Sequence, residues 1–269
     1  MKHIFLPFGL DGVERAPLEV AAHLAARYDG RAVAMFYPRP VESPLVDPMG
    51  VGIIDYADQG PDLAREAESA LATMRARIQG LGVDGERVML SDTPLKARFG
   101  IGEQARLFDM TVVGKSDETD WRAVFETALF EGGRPVMLAP VGWTRPTGDT
   151  VGVAWNRSTE TARLIGQSLP LLRGAKRAVV IEIEGWSIPG PDGGALVDYL
   201  RLHGVAAEGV TAPRSMRGPG MDVLDQAEAS GVDLLLKGAY TQSRLRQMIF
   251  GGATSDIIAD ATMPVVFAH

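Results

Sequence analysis

The sequence predicts an α/β protein built from two tandem doubly wound units, each a five-stranded, mainly parallel sheet with helices on both faces. Three observations predict it. Short β-branched runs alternate with amphipathic stretches, the pattern of βαβ units and a parallel sheet. The 269 residues are long for one compact domain and suffice for two of about 100–150 residues. The order of elements in the first half also recurs in the second, which is the test for an internal duplication.

In the first half, His3–Phe8 reads as a strand and Pro17 to Tyr28 as a helix. Leu18, Ala21, Ala22 and Ala25 share one face of that helix at i, i+3, i+4 and i+7. Ala32–Tyr37 is the second strand, and Leu63, Ala67, Ala70, Leu71, Met74 and Ile78 outline the next helix. Arg87–Leu90 is a short strand, Leu95–Leu107 a helix, and Met110–Val113 a strand ending at Gly114. Trp121, Val124, Phe125, Ala128 and Leu129 form a helical stripe before the strand Pro135–Ala139.

The second half opens with the strand Val151–Trp155 and a helix with Ala162, Ile165, Leu169 and Leu172 along one face. Ala178–Ile183 is a strand, Leu196, Tyr199 and Leu200 belong to a helix, and Ala206–Thr211 is a strand. A helix around Met221–Ala229 precedes the strand Leu234–Lys237. Leu245, Met248 and Ile249 begin the last helix, and Pro264–Ala268 is the final strand.

Two segments fix the alignment of the halves. Asp109-Met-Thr-Val-Val-Gly114 matches Asp233-Leu-Leu-Leu-Lys-Gly238 with an offset of 124 residues, from 114 to 238. Pro135-Val136 matches Pro264-Val265 with an offset of 129, so the intervening loop and helix are five residues longer in the second half. The turn-rich segment Val141–Asp149 marks the boundary, dividing the chain into units 1–146 and 147–269. The first unit also carries an irregular stretch, Pro38–Gly60, with prolines at 38, 40, 44 and 48 and the apolar patch Val51-Gly-Ile-Ile54. Such a stretch reads either as a surface insertion or as a lid or partner surface. Its counterpart in the second unit is only Glu184–Asp192.

Composition narrows the function. A formal net charge of -7 and a pI near 5.2 argue against a general nucleic-acid binder, which needs a basic stripe against phosphates. The absence of cysteine removes thiolate nucleophiles, disulfides and Cys-ligated metals. The apolar run after Met1 is too short for a signal peptide, and no run reaches a membrane span's length of about 20 residues, so a cytoplasmic location is expected. His3, His23, His203 and His269 have no ligand spacing. Gly114-Lys115-Ser116 lacks the earlier glycine of a P-loop, since Asp109 stands there. No Gly-x-Ser-x-Gly elbow and no paired carboxylates suggest catalysis.

Ligands of a doubly wound sheet sit beyond the carboxyl ends of strands, where strand order reverses, that is, after the first and fourth strands of each half. After the fourth strand of the second half runs Gly238-Ala-Tyr-Thr-Gln-Ser-Arg-Leu-Arg-Gln-Met-Ile-Phe-Gly251-Gly252-Ala253-Thr254. This resembles the universal stress protein signature of Gly, two residues, Gly, nine residues, Gly and Ser or Thr. Ala128-Leu-Phe-Glu-Gly-Gly-Arg-Pro-Val136 and Lys237–Arg246 are likewise similar to tandem bacterial members of that family.

The resemblance implies backbone N–H groups curled around the phosphates of ATP or a related adenine nucleotide, with Mg²⁺ present only alongside it. The implied contacts are Ala154, Trp155 and Asn156 after the first strand and Gly238, Thr241, Gly251, Gly252, Ala253 and Thr254 in the loop. Thr241 replaces the second glycine and Gly252 the Ser/Thr, while Asn156 stands for an acidic residue and keeps an acceptor without its charge. In the first half Gly9 takes the acidic position and Asp117 the second glycine's, so that site is expected to be dead.

The resemblance also implies sheet order 3-2-1-4-5 in each half and antiparallel pairing of the last strands across a pseudo-two-fold axis. Val136, Leu138, Val265 and Phe267 would then be buried between the halves. The single chain would reproduce the dimer of one-domain members, with a homodimer or an unidentified protein as further partners. Three functions follow as expectations: a non-enzymatic stress-response protein binding nucleotide in its second half, a relative acting through protein partners without nucleotide, or a binder or enzyme for another small molecule.

Overall fold

The computed structural model describes residues 1–38, 60–82, 86–95, 100–116, 120–239 and 252–269, the side chains of 60–62 excepted. The first half runs β1 (His3–Phe8), α1 (Arg15–Arg27), β2 (Arg31–Phe36), α2 (Gly60–Gly80), β3 (Val88–Leu90), α3 (Gly100–Ala105), β4 (Met110–Gly114), α4 (Trp121–Glu131) and β5 (Val136–Ala139). The second half runs β6 (Thr150–Ala154), α5 (Thr159–Gln167), α6 (Leu169–Gly174), β7 (Arg177–Ile183), α7 (Gly193–Leu202), β8 (Ala207–Ala212), α8 (Pro219–Ala229), β9 (Leu234–Gly238), α9 (Ala253–Asp260) and β10 (Val265–Ala268).

All ten strands form one sheet in the order β3-β2-β1-β4-β5-β10-β9-β6-β7-β8. Adding five to each strand number of the first half and reversing the order reproduces the second half. Pairing is parallel within each half. At the centre β5 and β10 run antiparallel, with Val265 opposite Leu138 and Phe267 opposite Val136. All four of these residues are buried, as expected, and the Phe267 ring meets Phe125 edge-on at 5.3 Å. The inner strands β4, β5, β9 and β10 are buried along nearly their whole length, as strands covered on both faces must be. The outer strands β3 and β8 carry exposed positions.

The repeated aspartates do the same work twice. Asp109 accepts backbone N–H groups of Lys2 and His3 at the start of β1. Asp233 accepts those of Gly148, Asp149 and Thr150 at the start of β6. Each carboxylate ties the entry of the fourth strand to that of the first. Between the halves, Trp143 and Thr147 are buried and joined by an Nε1–H to Oγ1 bond of 2.9 Å. Arg27 pairs with Asp149 at 2.7 Å, Lys176 joins it at 2.8 Å, and these two cations hold the Asp149 carboxyl down at about 2. Lys115 donates to the Ala259 carbonyl across the sheet centre at 2.6 Å.

Three expectations need correction. The single helix read through Ala162, Ile165, Leu169 and Leu172 is two helices, broken at Ser168. Pro170 has no N–H to give the preceding turn, so α6 restarts with proline in its first turn. The buried face of α5 is Thr161, Leu164 and Ile165, and Ala162 points outward. The helix read over Leu95–Leu107 is described only from Gly100 to Ala105, and Leu107 is exposed beyond its end. The stretch 39–59 and the start of the last helix at Leu245, Met248 and Ile249 lie outside the described residues.

Candidate functional site

The order of the second half reverses between β6 and β9, and their carboxyl ends frame the cleft where ligands of such sheets sit. Beyond β6 the chain passes through Trp155 and Asn156, both buried, then through Arg157 with φ +65 into Ser158. That left-handed residue turns the chain sharply enough for Ser158 to cap α5, its Oγ accepting the Thr161 N–H at 3.3 Å. Asn156 Oδ1 accepts from the Ser158 N–H at 3.3 Å and from Thr161 Oγ1 at 2.9 Å, and the Asn156 carbonyl accepts the Ile188 N–H. The acceptor that the sequence leaves at this position is therefore used inside the protein, and its amide Nδ2 remains the group for donation.

The loop after β7 closes one side. Glu182, buried at the end of β7, accepts from Arg157 at 2.7 Å, from Ser187 at 3.0 Å and from the first N–H of α7, Gly193, at 2.9 Å. Trp155 Nε1 donates to the Pro191 carbonyl at 3.0 Å. Outside this wall, Trp155, Ala162, Ile165, Pro191, Ala195, Leu196 and Tyr199 line an apolar groove, which explains the outward side chains of Ala162 and Tyr199.

At the end of β9, Gly238 lies hard against α5. A Cβ there would stand 2.4 Å from Thr161 Oγ1 and 2.5 Å from the Thr161 backbone nitrogen. Gly252 is the N-cap of α9, with φ +156, and among the described residues nothing lies within 4 Å of where its Cβ would be. Ala253 follows, and Thr254 is buried in the first turn. Thr241 and Gly251 lie outside the described residues, as do Arg244 and Arg246. Of the sequence-derived contacts, Asn156 and Gly238 both lie against Thr161 of α5, and Thr254 lies beside Lys237 of β9.

One residue of this cleft escaped the sequence reading. Lys237, inside β9, is 2% exposed; its Nζ donates to the Gly238 carbonyl and, at 3.5 Å, to Thr254 Oγ1, and lies 5.5 Å from the centre of the Trp186 ring. Burial pushes its ammonium down to about 8, with Glu160 pulling weakly the other way. The available signal was a lone charge in an otherwise apolar strand.

The matching cleft of the first half is different. Pro7, Gly9, Asp11, Glu14, Pro17, Tyr37, Gly114 and Ser116 line it. At Gly114 a Cβ would meet Pro17 Cγ of α1 at 2.6 Å, the same close approach that α5 makes at Gly238. Tyr37 stands 3.4 Å from the Cβ position of Gly9. The two carboxylates of the lining oppose a phosphate. Asp117 lies outside the described residues.

Among the described residues no three His, Asp or Glu side chains group as metal ligands, and no helix is long and apolar enough to cross a membrane.

The fold has known counterparts. A universal stress protein from Archaeoglobus fulgidus DSM 4304 superposes with a TM-score of 0.69 at 14% identity, over 99% of this chain and 95% of that one. A putative universal stress protein from Pseudomonas aeruginosa UCBPP-PA14 gives 0.54 at 13% identity, over 100% and 93%. A functionally unknown protein of Pseudomonas aeruginosa PAO1 gives 0.53 at 13% identity, over 100% and 92%. No sequence-family model and no curated relative matches the chain. At these identities the likeness is one of fold: an α/β chain with the two-part architecture of universal stress proteins.

Proposed function

We propose that this chain, whose fold is that of universal stress proteins, is a tandem member of that family serving stress response without catalysis. Units 1–146 and 147–269 are its two domains, and the second binds ATP or a related adenine nucleotide. The observation that carries the reading is the N-terminus of α9. It begins at a glycine N-cap where, among the described residues, an added Cβ would meet nothing within 4 Å, and its Thr254 lies within reach of Lys237 in β9; helix N–H groups at such a start receive phosphate. In this reading Gly252, Ala253 and Thr254 take phosphate oxygens, together with Gly251 and Thr241. Ala154, Trp155 and Asn156 form the opposite wall, with Asn156 donating through its amide. Mg²⁺ enters only with the nucleotide.

The first-half cleft supports the asymmetry, since Asp11 and Glu14 line it. A second reading, action through protein partners without nucleotide, is favoured by the Asn156 acceptor already being spent inside the protein.

Thermal unfolding with ATP and Mg²⁺ tests the proposal. At 100 times its dissociation constant a ligand adds about 2.7 kcal/mol, which is a rise of about 5–10 °C for a chain of this size. Hydrogen exchange on the same samples should show protection at 252–254 and none at Gly114. No thermal shift at millimolar ATP selects the partner reading, and protection confined to Gly114 reverses the assignment of the halves.

A further inference from the structure

We propose that Lys237 makes the second-half cleft an anion site, in which its ammonium, the Thr254 hydroxyl and the first N–H groups of α9 together hold a phosphate group. The proposal rests on the reading of this cleft as a ligand site and names the charge chemistry that selects the ligand.

The case begins with burial. Every residue of β9 is buried, and Lys237 lies among them with its charge enclosed. An ammonium taken out of water is costly unless an anion meets it. Among the described residues no carboxylate forms an ion pair with it. Its contacts are the Gly238 carbonyl, Thr254 Oγ1 and the Trp186 ring face. Glu160 acts on it only from beyond contact distance. Glu182, buried in the same half, is by contrast paired with Arg157 at 2.6 Å.

The fold does not require a lysine here. The matching position of the first half, Asp109–Gly114 laid on Asp233–Gly238, is Val113, buried in the apolar core. Stability alone would favour the valine. The lysine occupies the half whose α9 starts at a glycine N-cap, and it bonds a side chain in the first turn of that helix. The ammonium of β9 and the first-turn hydroxyl of α9 therefore meet, 3.5 Å apart, beside the start of that helix. A ligand group with several anionic oxygens on one atom answers ammonium, hydroxyl and helix N–H groups at once, and a phosphate is such a group. Bound there, it would supply the missing opposite charge.

Two phosphate sources share this chemistry, a nucleotide and a free phosphate, and the experiment separates them. Isothermal titration of the full chain at matched ionic strength uses inorganic tripolyphosphate, ATP and adenosine as probes. The variants are Lys237→Met, of similar length, and Thr254→Val, which keeps the bulk and removes the hydroxyl; circular dichroism confirms that each is folded. We expect tripolyphosphate to bind the wild type. Lys237→Met should weaken it about ten- to hundred-fold, the size of one lost charged hydrogen bond, and Thr254→Val less. Adenosine affinity should not change in either variant.

Equal tripolyphosphate affinity in wild type and Lys237→Met overturns the proposal, as does no tripolyphosphate binding by the wild type. ATP bound equally by wild type and Lys237→Met overturns it too, while leaving the nucleotide reading intact. Lys237-dependent tripolyphosphate binding to which an adenosine moiety adds nothing upholds the proposal and sinks the nucleotide reading.

Discussion

A lysine closed off from water holds its proton less tightly than one in the unfolded chain, and this ties Lys237 to the stability of the protein. Its folded value of about 8 lies below the ordinary 10.5, with burial as the main cause. Between those values the unfolded chain binds a proton that the native protein does not, so stability rises with pH across that window. Below pH 8 both states are charged and the native state bears the whole penalty, roughly 3 kcal/mol for a shift of this size. We expect Lys237→Met to be more stable than wild type by about 1–3 kcal/mol at pH 7. The gap should shrink as pH rises from 8 toward 10.5. Urea midpoints at pH 7, 8.5 and 10 check this, and a variant less stable than wild type at pH 7 contradicts it. Gained stability with lost phosphate affinity would mark a residue kept for binding.

At the scale of elements, the cleft is shaped by how closely β9 approaches α5. The Gly238 position has no room for a methyl group, because the Thr161 backbone stands where it would go. Gly238→Ala should cost about 1–3 kcal/mol, the range for overpacking a filled site, and displace the start of α5. A denaturant midpoint unchanged by the substitution would show that α5 yields freely. The glycine that the family-like pattern reads as a phosphate contact thus has a packing duty of its own. The pattern in the sequence gives its position, and only the neighbour across the gap reveals the duty. Asp109 and Asp233 are the complementary case. Their place in matching segments is legible as repetition, while their shared task, tying the fourth strand to the first, emerges only when the strands lie side by side.

For the whole molecule the governing fact is the antiparallel joint of β5 with β10, which merges two five-stranded halves into one sheet. Each half alone would expose its inner strand as an unpaired apolar edge. Phe267 lies in that joint, buried against Phe125. Phe267→Ala should cost about 3–5 kcal/mol, as for other core aromatics. Because the joint links both cores, unfolding followed by Trp fluorescence and by circular dichroism should shift together as one transition. Two separated transitions would show that the halves melt independently. Arg27 with Asp149 and Lys115 with Ala259 span the same division, but as solvent-accessible tethers they contribute less than the apolar joint.

The sequence by itself determined the α/β class and the duplication, because hydrophobic period and repeated segments report burial that recurs along the chain, while the strand order and the buried joint were legible in it only through the resemblance to a known family. It also located the two strand ends where a ligand would sit. The break at Ser168, the outward turn of Ala162 and the use of Asn156 as an internal acceptor came only from the tertiary structure. Each depends on which partner stands opposite, and that partner is distant in sequence or hidden by a continuous pattern. Lys237 shows the limit most plainly. One charge in an apolar strand reads the same whether a carboxylate faces it or not, and only the packed structure shows that none of the described residues supplies one.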